Sequence, residues 1–420
     1  MTDQLRPVST WTNWARNQSF VPFAVHVPSS ESDVATIVAD ARRSGQAVRA
    51  AGSGHSFTPV VETPGRLLDM SRLSGVLAAD GRSRTARILG GTPLSRVGEP
   101  LWRAGLSLQN QGDTDGQTIA GAVATGTKGS GPRYGSFSST VRAVRLVDGR
   151  GEIVEVDGTD PEVLHAAQVS LGLLGVVTEL TLECLPAYRL REANAVLGLD
   201  ELLDVWETAP EQYRHFSFFW APHDSAWSLY GLPEFPADHV YAKFLTELPV
   251  GPDPAAEPVS GEPGSRQGRA YAVYPDLPED EEETDPGYVE LEHMVERSRA
   301  REAFLAIRTL MRERFPKQIS PVQVRWQGAD EALLSAQYHR DTVSISVSGI
   351  RSDEGDHFLR AVDAELLRFG ARPHWGKANY LTAEQVRTCF PRVDDFLAVR
   401  RRFDPDGVFL TPYLRRLLDV

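Results

Sequence analysis

Residues 22 to 57 constrain this chain most, because a strand, a helix and a second strand run straight into the turn Gly52-Ser53-Gly54-His55-Ser56-Phe57. Val25 and Val27 mark the first strand. Ser30 and Asp33 form a capping pair, Val34, Ile37, Val38 and Ala41 fall at helical spacing, and Gly45 sits where a glycine ends a helix. The second strand, Gln46 to Ala50, delivers the chain into the turn. Glycine lacks a Cβ and tolerates positive φ, so a glycine-flanked turn after a buried strand lets the backbone approach a ligand closely. The turn is therefore a candidate seat for a nucleotide cofactor.

A second glycine-rich stretch holds Gly112, Gly116, Gly121, Gly126, Gly129 and Gly131, with Thr118, Thr125, Thr127 and Ser130 between them. Successive backbone N–H groups in such a loop can cradle a pyrophosphate, although the same composition also serves turns and tight packing. No strand–GxGxxG–helix unit with a downstream acid occurs, which disfavours a nicotinamide dinucleotide. Residues 170 to 182 read as a tight turn feeding a buried strand. Between Pro249 and Pro286, eight prolines and the acidic run Glu279 to Glu283 suggest a flexible, solvated insertion. Glu296 to Phe315 has helical spacing, and Pro321 to Trp326 and Thr342 to Val347 alternate like strands.

With 420 residues, 41% of them hydrophobic, the chain can bury a large core and is expected to make two domains. A net charge of −13 argues against nucleic acid or an anionic membrane as partner, since phosphate binding relies on clustered Lys and Arg. Cys184 and Cys389 lie far apart and form no metal-ligand spacing, so they are expected to be structural thiols and no metal is expected. The N-terminal residues lack the pattern of a secretory signal, and no apolar run reaches membrane-spanning length, so a cytoplasmic protein is expected.

Four segments, in order and spacing along nearly the whole chain, resemble the vanillyl-alcohol-oxidase superfamily and, within it, the aldonolactone and alditol oxidase group. They are Val48 to Phe57; Asn110-Gln111-Gly112-Asp113 through Ile119-Ala120-Gly121-Ala122 to Thr125-Gly126-Thr127; Ser170-Leu171-Gly172 with Gly175-Val176-Val177; and Arg372-Pro373-His374-Trp375-Gly376-Lys377. Residues 190 to 290 match poorly. The resemblance implies an α+β, two-domain VAO/PCMH-type fold: an FAD-binding domain over 1–185, an α+β substrate (cap) domain over 186–370, and a C-terminal segment, 371–420, completing the active-site region. It further implies FAD seated by Gly52, Ser53, Gly54, His55, Ser56, Gly112, Asp113, Thr118, Gly121, Thr125, Gly126, Gly131, Val177 and Lys377.

His55 is expected to hold FAD covalently. A neutral imidazole nitrogen is a nucleophile toward the flavin C8α carbon, and the bond tethers the cofactor and raises its potential. Neither cysteine falls in the segment that carries a second attachment in some family members. Arg325 and Lys377 are the expected catalytic cations, because positive charge lowers a substrate hydroxyl's pKa and stabilises the anion that forms. Gln323 is expected to contact substrate and is a departure: lactone and alditol oxidases read Glu-x-Arg where this chain reads Gln323-Val324-Arg325, so an acceptor has become an amide that also donates. Asp113 stands where alditol oxidases often carry Ser, Lys128 replaces a common His, and His374 is expected to hold the turn at Trp375-Gly376. Gly112 matches a position beside the reactive flavin edge, where a missing methyl leaves a path for O₂.

The expected function is FAD-dependent oxidation of a CH–OH group in a small polyhydroxylated substrate, a sugar lactone or alditol, with O₂ reduced to H₂O₂. The alternatives are oxidation of the primary alcohol of a nucleoside or glycoside, a dehydrogenase using a non-oxygen acceptor, and a flavin-containing binding protein. Retention of Arg325 and Lys377 argues against the last.

Overall fold

The first strand–helix–strand unit forms as its spacing requires. In the computed structural model, which describes residues 4–6, 9–251, 259–275 and 287–420, strand Ala24–Val27 leads into helix Glu31–Arg43. Ser30 accepts a hydrogen bond from the Asp33 N–H, and the Asp33 carboxylate accepts one from the Ser29 N–H at 2.8 Å. Val34, Ile37, Val38 and Ala41 are the buried face, and Gly45 closes the helix at φ 64°. Strand Val48–Ala51 lies parallel to Arg66–Asp69, which lies parallel to Ala24–Val27, so the helix serves as the crossover that parallel pairing requires. The acidic run 279–283 lies outside the described residues.

An antiparallel sheet of five strands packs beside this unit, in the order Ile153–Asp157, Val141–Val147, Val176–Glu183, Thr85–Leu89 and Val76–Asp80. Its strand Val176–Glu183 alternates strictly, with Val176, Thr178, Leu180 and Leu182 inward. The chain's end belongs to the same core: Phe390, Phe396, Phe409 and Leu414, on and around the last three helices, pack with Val34, Ile119 and Leu146.

The remaining large sheet has eight antiparallel strands in the order Gln267–Arg269, Arg189–Gly198, His239–Leu248, His215–Trp220, Val322–Gln327, Thr342–Ile350, Tyr288–Glu296 and Arg372–Pro373. Helices Arg297–Arg314 and Asp353–Arg368 cover one face, where Phe304, Ile307, Phe358 and Val362 meet Phe218, Val324, Trp326 and Ile345. The opposite face carries Gln323, Arg325 and Gln327 on one strand and Ser344, Ser346 and Ser348 on the next, and these too are buried. A sheet face built of polar residues and removed from water is the unusual feature of this fold, because buried polar groups must be paired.

Arg49 ties three distant segments together. Its buried guanidinium donates to the carbonyls of Leu171 at 2.7 Å, Gly172 at 3.2 Å and Phe409 at 3.1 Å. Leu171 and Gly172 sit at φ 52° and 67°, a conformation a leucine seldom adopts unless its surroundings impose it. Arg49→Met strands three carbonyls and is expected to lower stability by about 2–4 kcal/mol, read as a reduced urea midpoint at unchanged slope. A midpoint equal to wild type would show that these carbonyls find other donors.

Candidate active site

A cleft opens where the Gly52–Phe57 turn faces helix Ile119–Thr125. The two glycine stretches touch there: a Cβ on Gly52 would lie 2.0 Å from Thr118 Oγ1, and Ser53 Oγ donates to the Gly116 carbonyl at 2.6 Å. Gly54 turns at φ 73°, and its missing Cβ makes room for Trp11 and Asn13. Asn13 and Asn17 donate to the carbonyls of Ser56 at 3.0 Å and Phe57 at 2.9 Å, which fixes the turn. The His55 ring stacks on Trp14 with centroids 5.1 Å apart. Arg49 forms part of the lining, has no direct carboxylate partner among the described residues, and leaves its Nε without a hydrogen bond. Burial draws its pKa down to about 10 against the opposing charge of Asp404, so it stays charged at neutral pH. A cleft with glycine walls, hydroxyl groups and a buried cation fits a dinucleotide carrying a diphosphate, as FAD does.

The motifs from opposite ends of the chain meet at one rim of this cleft. The Phe57 N–H donates to the Gly376 carbonyl at 2.8 Å and Thr58 Oγ1 to the Trp375 carbonyl at 2.8 Å. His374 Nδ1 accepts from the Gly376 N–H at 3.0 Å, and burial pulls its pKa down to about 3, so it works as a neutral acceptor in this turn. The turn delivers Lys377, whose Nζ bonds Glu290 and lies 5.2 Å from the Phe57 ring centroid.

Beyond Lys377 the polar sheet face and the loop that carries Asp113 meet in a cluster of paired charges, the charge chamber. Arg325 donates to Asp113 Oδ2 at 2.8 Å and to Glu292 Oε1 at 2.6 Å. Glu292 also accepts from Lys128, whose Nζ reaches Ser344 Oγ at 3.0 Å. Gln323 Nε2 donates to the same Asp113 oxygen at 2.9 Å, and Ser346 donates to Glu290. Three cations, Lys128, Arg325 and Lys377, thus face three carboxylates, Asp113, Glu290 and Glu292. Burial works to raise the Glu292 pKa, but Arg325 and Lys128 outweigh it and hold the carboxyl well below the usual range. Asp113 is lowered likewise, against burial, by Arg325 and Gln323. Burial, reinforced by Arg325, draws Lys128 down to about 8 despite its bond to Glu292, which it shares with that guanidinium.

The structure brings most of the sequence-derived candidates together, in two groups. Gly52, Ser53, Gly54, His55, Ser56, Thr118, Gly121, Thr125 and Val177 line the cleft. Gln323, Arg325 and Lys377 line the chamber with Asp113, which turns away from the cleft wall toward the sheet. Gly112, Gly126 and Gly131 are not among the cleft residues. Gly126 is the left-handed cap of helix Ile119–Thr125, and Gly131 donates its N–H to the Trp326 carbonyl at 2.7 Å, at the seam with the large sheet. Gly112 packs against Thr127, with 3.1 Å between its would-be Cβ and the Thr127 methyl. Sequence reasoning missed Glu290 and Glu292. Their signal was Tyr288-Val-Glu-Leu-Glu-His-Met, where acids at alternate positions mark one face of a strand. Among the described residues no cluster suits a metal ion, and no helix is long and apolar enough to cross a membrane. Cys184 is buried and Cys389 half-buried; both are unpaired.

Glu292 is the shared counter-ion of this chamber, so Glu292→Gln leaves Lys128 and Arg325 short of charge and is expected to cost about 3–5 kcal/mol of stability at pH 7. Its folded pKa is depressed, so its contribution is present above the unfolded value near ~4.3 and is lost as pH falls through the folded value. Unfolding curves from pH 7 to pH 3 should show the wild type losing this increment while the variant, already without it, declines less.

Comparison with known proteins places this architecture. Residues 22–157 match the family model described as FAD binding domain, and residues 286–417 match D-arabinono-1,4-lactone oxidase. The L-gulono-1,4-lactone dehydrogenase of Mycobacterium tuberculosis (strain ATCC 25618 / H37Rv) is 33% identical over 443 residues, covering 97% of this chain and 99% of the relative. The alditol oxidase of a Streptomyces species is 31% identical over 433 residues, with 97% and 99% covered. Among solved structures, cholesterol oxidase from Brevibacterium sterolicum superposes with a TM-score of 0.82 at 16% identity, over 99% of this chain and 97% of that one, a likeness of fold alone. The chain belongs to the aldonolactone and alditol oxidase group of the vanillyl-alcohol-oxidase superfamily, and is an FAD-dependent oxidoreductase acting on CH–OH groups.

Proposed function

We propose that this chain oxidises a carbinol carbon of a small, uncharged polyhydroxylated compound, a sugar lactone or an alditol, and that O₂ takes up the electrons to give H₂O₂. The charge-balanced chamber carries this reading. Its cations are already paired, Lys128, Arg325 and Lys377 with Asp113, Glu290 and Glu292, and the neighbouring Lys243 with Glu192, so it offers many hydrogen bonds and no unpaired charge to an ionic ligand. The activities named for the relatives, on L-gulono-1,4-lactone and alditols, support it.

FAD, when bound in the cleft, supplies the two-electron acceptor for the carbinol hydrogen and its bonding electrons. The protein supplies the rest. Arg325 and Lys377 place positive charge at the reacting hydroxyl and stabilise the alkoxide that develops there. The hydroxyl proton passes to Lys377 Nζ as that atom releases one to Glu290, its bonded neighbour. Lys377→Met and Arg325→Ala are expected to slow anaerobic bleaching of the yellow protein by substrate at least about a hundredfold each. Unchanged bleaching in folded variants would remove both from the reaction. Bleaching under nitrogen followed by rapid recolouring in air, with peroxide formed, is the test of the oxidase reading.

A second reading, a dehydrogenase passing electrons to a dye or quinone, is favoured by the activity named for the mycobacterial relative. Sluggish recolouring in air with fast dye reduction would establish it. Gly112 favours the oxidase reading only through the family resemblance, which puts its position beside the reactive flavin edge, where a missing methyl leaves a path for O₂; the neighbour its own Cβ would meet is Thr127.

Covalent attachment through His55 belongs to the same proposal, supported by the position of its ring in the cleft wall against Trp14. Acid-precipitated wild type is expected to stay yellow and His55→Ala to release its flavin; colour washing out of the wild type would refute the bond. Two unpaired cysteines suit a reducing compartment, and we place the enzyme in the cytoplasm on that ground.

A further inference from the structure

We propose that Asp113 is the specificity-determining residue of the chamber: it orients Arg325 and locks the Gln323 amide so that only its carbonyl oxygen is offered to substrate. This rests on the chamber being the substrate site. A single atom, Asp113 Oδ2, accepts from both Gln323 Nε2 at 2.9 Å and Arg325 at 2.8 Å. An ionised carboxylate only accepts, so the Gln323 atom facing it must be the nitrogen, and the amide cannot turn over without losing this bond. Its Oε1 accepts no hydrogen bond from the described residues. Gln323 therefore presents an acceptor, as a glutamate would, and its donor is used inside the protein. The amide's capacity to donate to substrate, expected from the sequence, is already taken up.

The arrangement also explains why residue 323 carries no charge. A second carboxylate there would meet Asp113 within hydrogen-bond distance, and two such groups cannot both ionise without strong repulsion. Of the two carboxylates on Arg325, Glu292 comes from its own sheet and Asp113 from a loop across the domain seam, and position 323 is left to an amide. Asp113 faces Gln323 and Arg325 on one strand, Lys243 on a strand of the same sheet, Lys128 from its own domain, Glu292 across Arg325, and Tyr230 and Tyr274.

Three holoenzyme variants test this: D113N, Q323E and D113N/Q323E, assayed on L-gulono-1,4-lactone from pH 5 to 9. D113N is expected to lose at least about tenfold in kcat/KM. Q323E is expected to show a new ionisation, its activity falling as pH rises and the shared proton leaves the two carboxylates. The double variant restores one donor and one acceptor between the two side chains and leaves a single carboxylate, although the amide nitrogen that faces Glu at 323 cannot accept from Arg325; it is expected to exceed D113N in kcat/KM and to regain the wild-type pH profile. A double variant no better than D113N, or a Q323E profile that superimposes on wild type, overturns the proposal. Thermal unfolding over the same pH range reads the pair without substrate: Q323E should lose stability relative to wild type as pH rises, and the double variant should not. If wild type does not oxidise the lactone, the substrate reading fails on its own, and the unfolding curves still decide whether Asp113 locks Gln323.

Discussion

Charges survive inside a protein only where an opposite charge touches them, and this requirement organises the junction between the two halves of the chain. Arg325 is its centre. It rises from the large sheet, takes one carboxylate from the flavin-side loop and another from its own sheet, and so cannot be placed until both halves are in register. Lys128 crosses the same seam in the opposite direction to reach Glu292. The polar face of the sheet is thereby buried without orphaned charge, and the chamber acquires a fixed field before any substrate arrives, which is how an enzyme avoids reorganising itself during reaction.

Elements whose chemistry is local were legible in the sequence. Helix Glu31–Arg43 announced itself by Ser30, Asp33, Gly45 and four apolar residues at helical spacing, because caps and periodicity act within a few residues. The strands Val322–Gln327 and Thr342–Ile350 were equally plain from alternation. That the C-terminal segment completes the active-site region is implied by family likeness and by nothing in the segment alone; the bond from Phe57 to Gly376 is seen only in the structure.

What stayed hidden depends on pairing across long separations. Glu290 and Glu292 alternate with Val289 and Leu291, a pattern that ordinarily marks a strand with one wetted face; only the packing of the other domain turns that face inward. Asp113 is expected, from the resemblance, to help seat the cofactor, yet its partners lie 210 and 212 positions away on the large sheet. The long strands Arg189–Gly198 and His239–Leu248 fall where the family pattern fades, and they pair with each other through side chains of mixed character that no single-strand period reveals.

The Arg49 clasp bears on how the enzyme is made. The strand that carries the chain to His55 is finished by the carbonyl of Val408, which receives the Val48 N–H at 2.9 Å, and Arg49 itself closes on Phe409. Phe409 stands 360 positions downstream of Arg49, beyond every strand of the large sheet. The strand that leads to His55 is therefore completed only once the segment around Phe409 has been made, and the floor of the cleft waits for the large sheet that is synthesised in between.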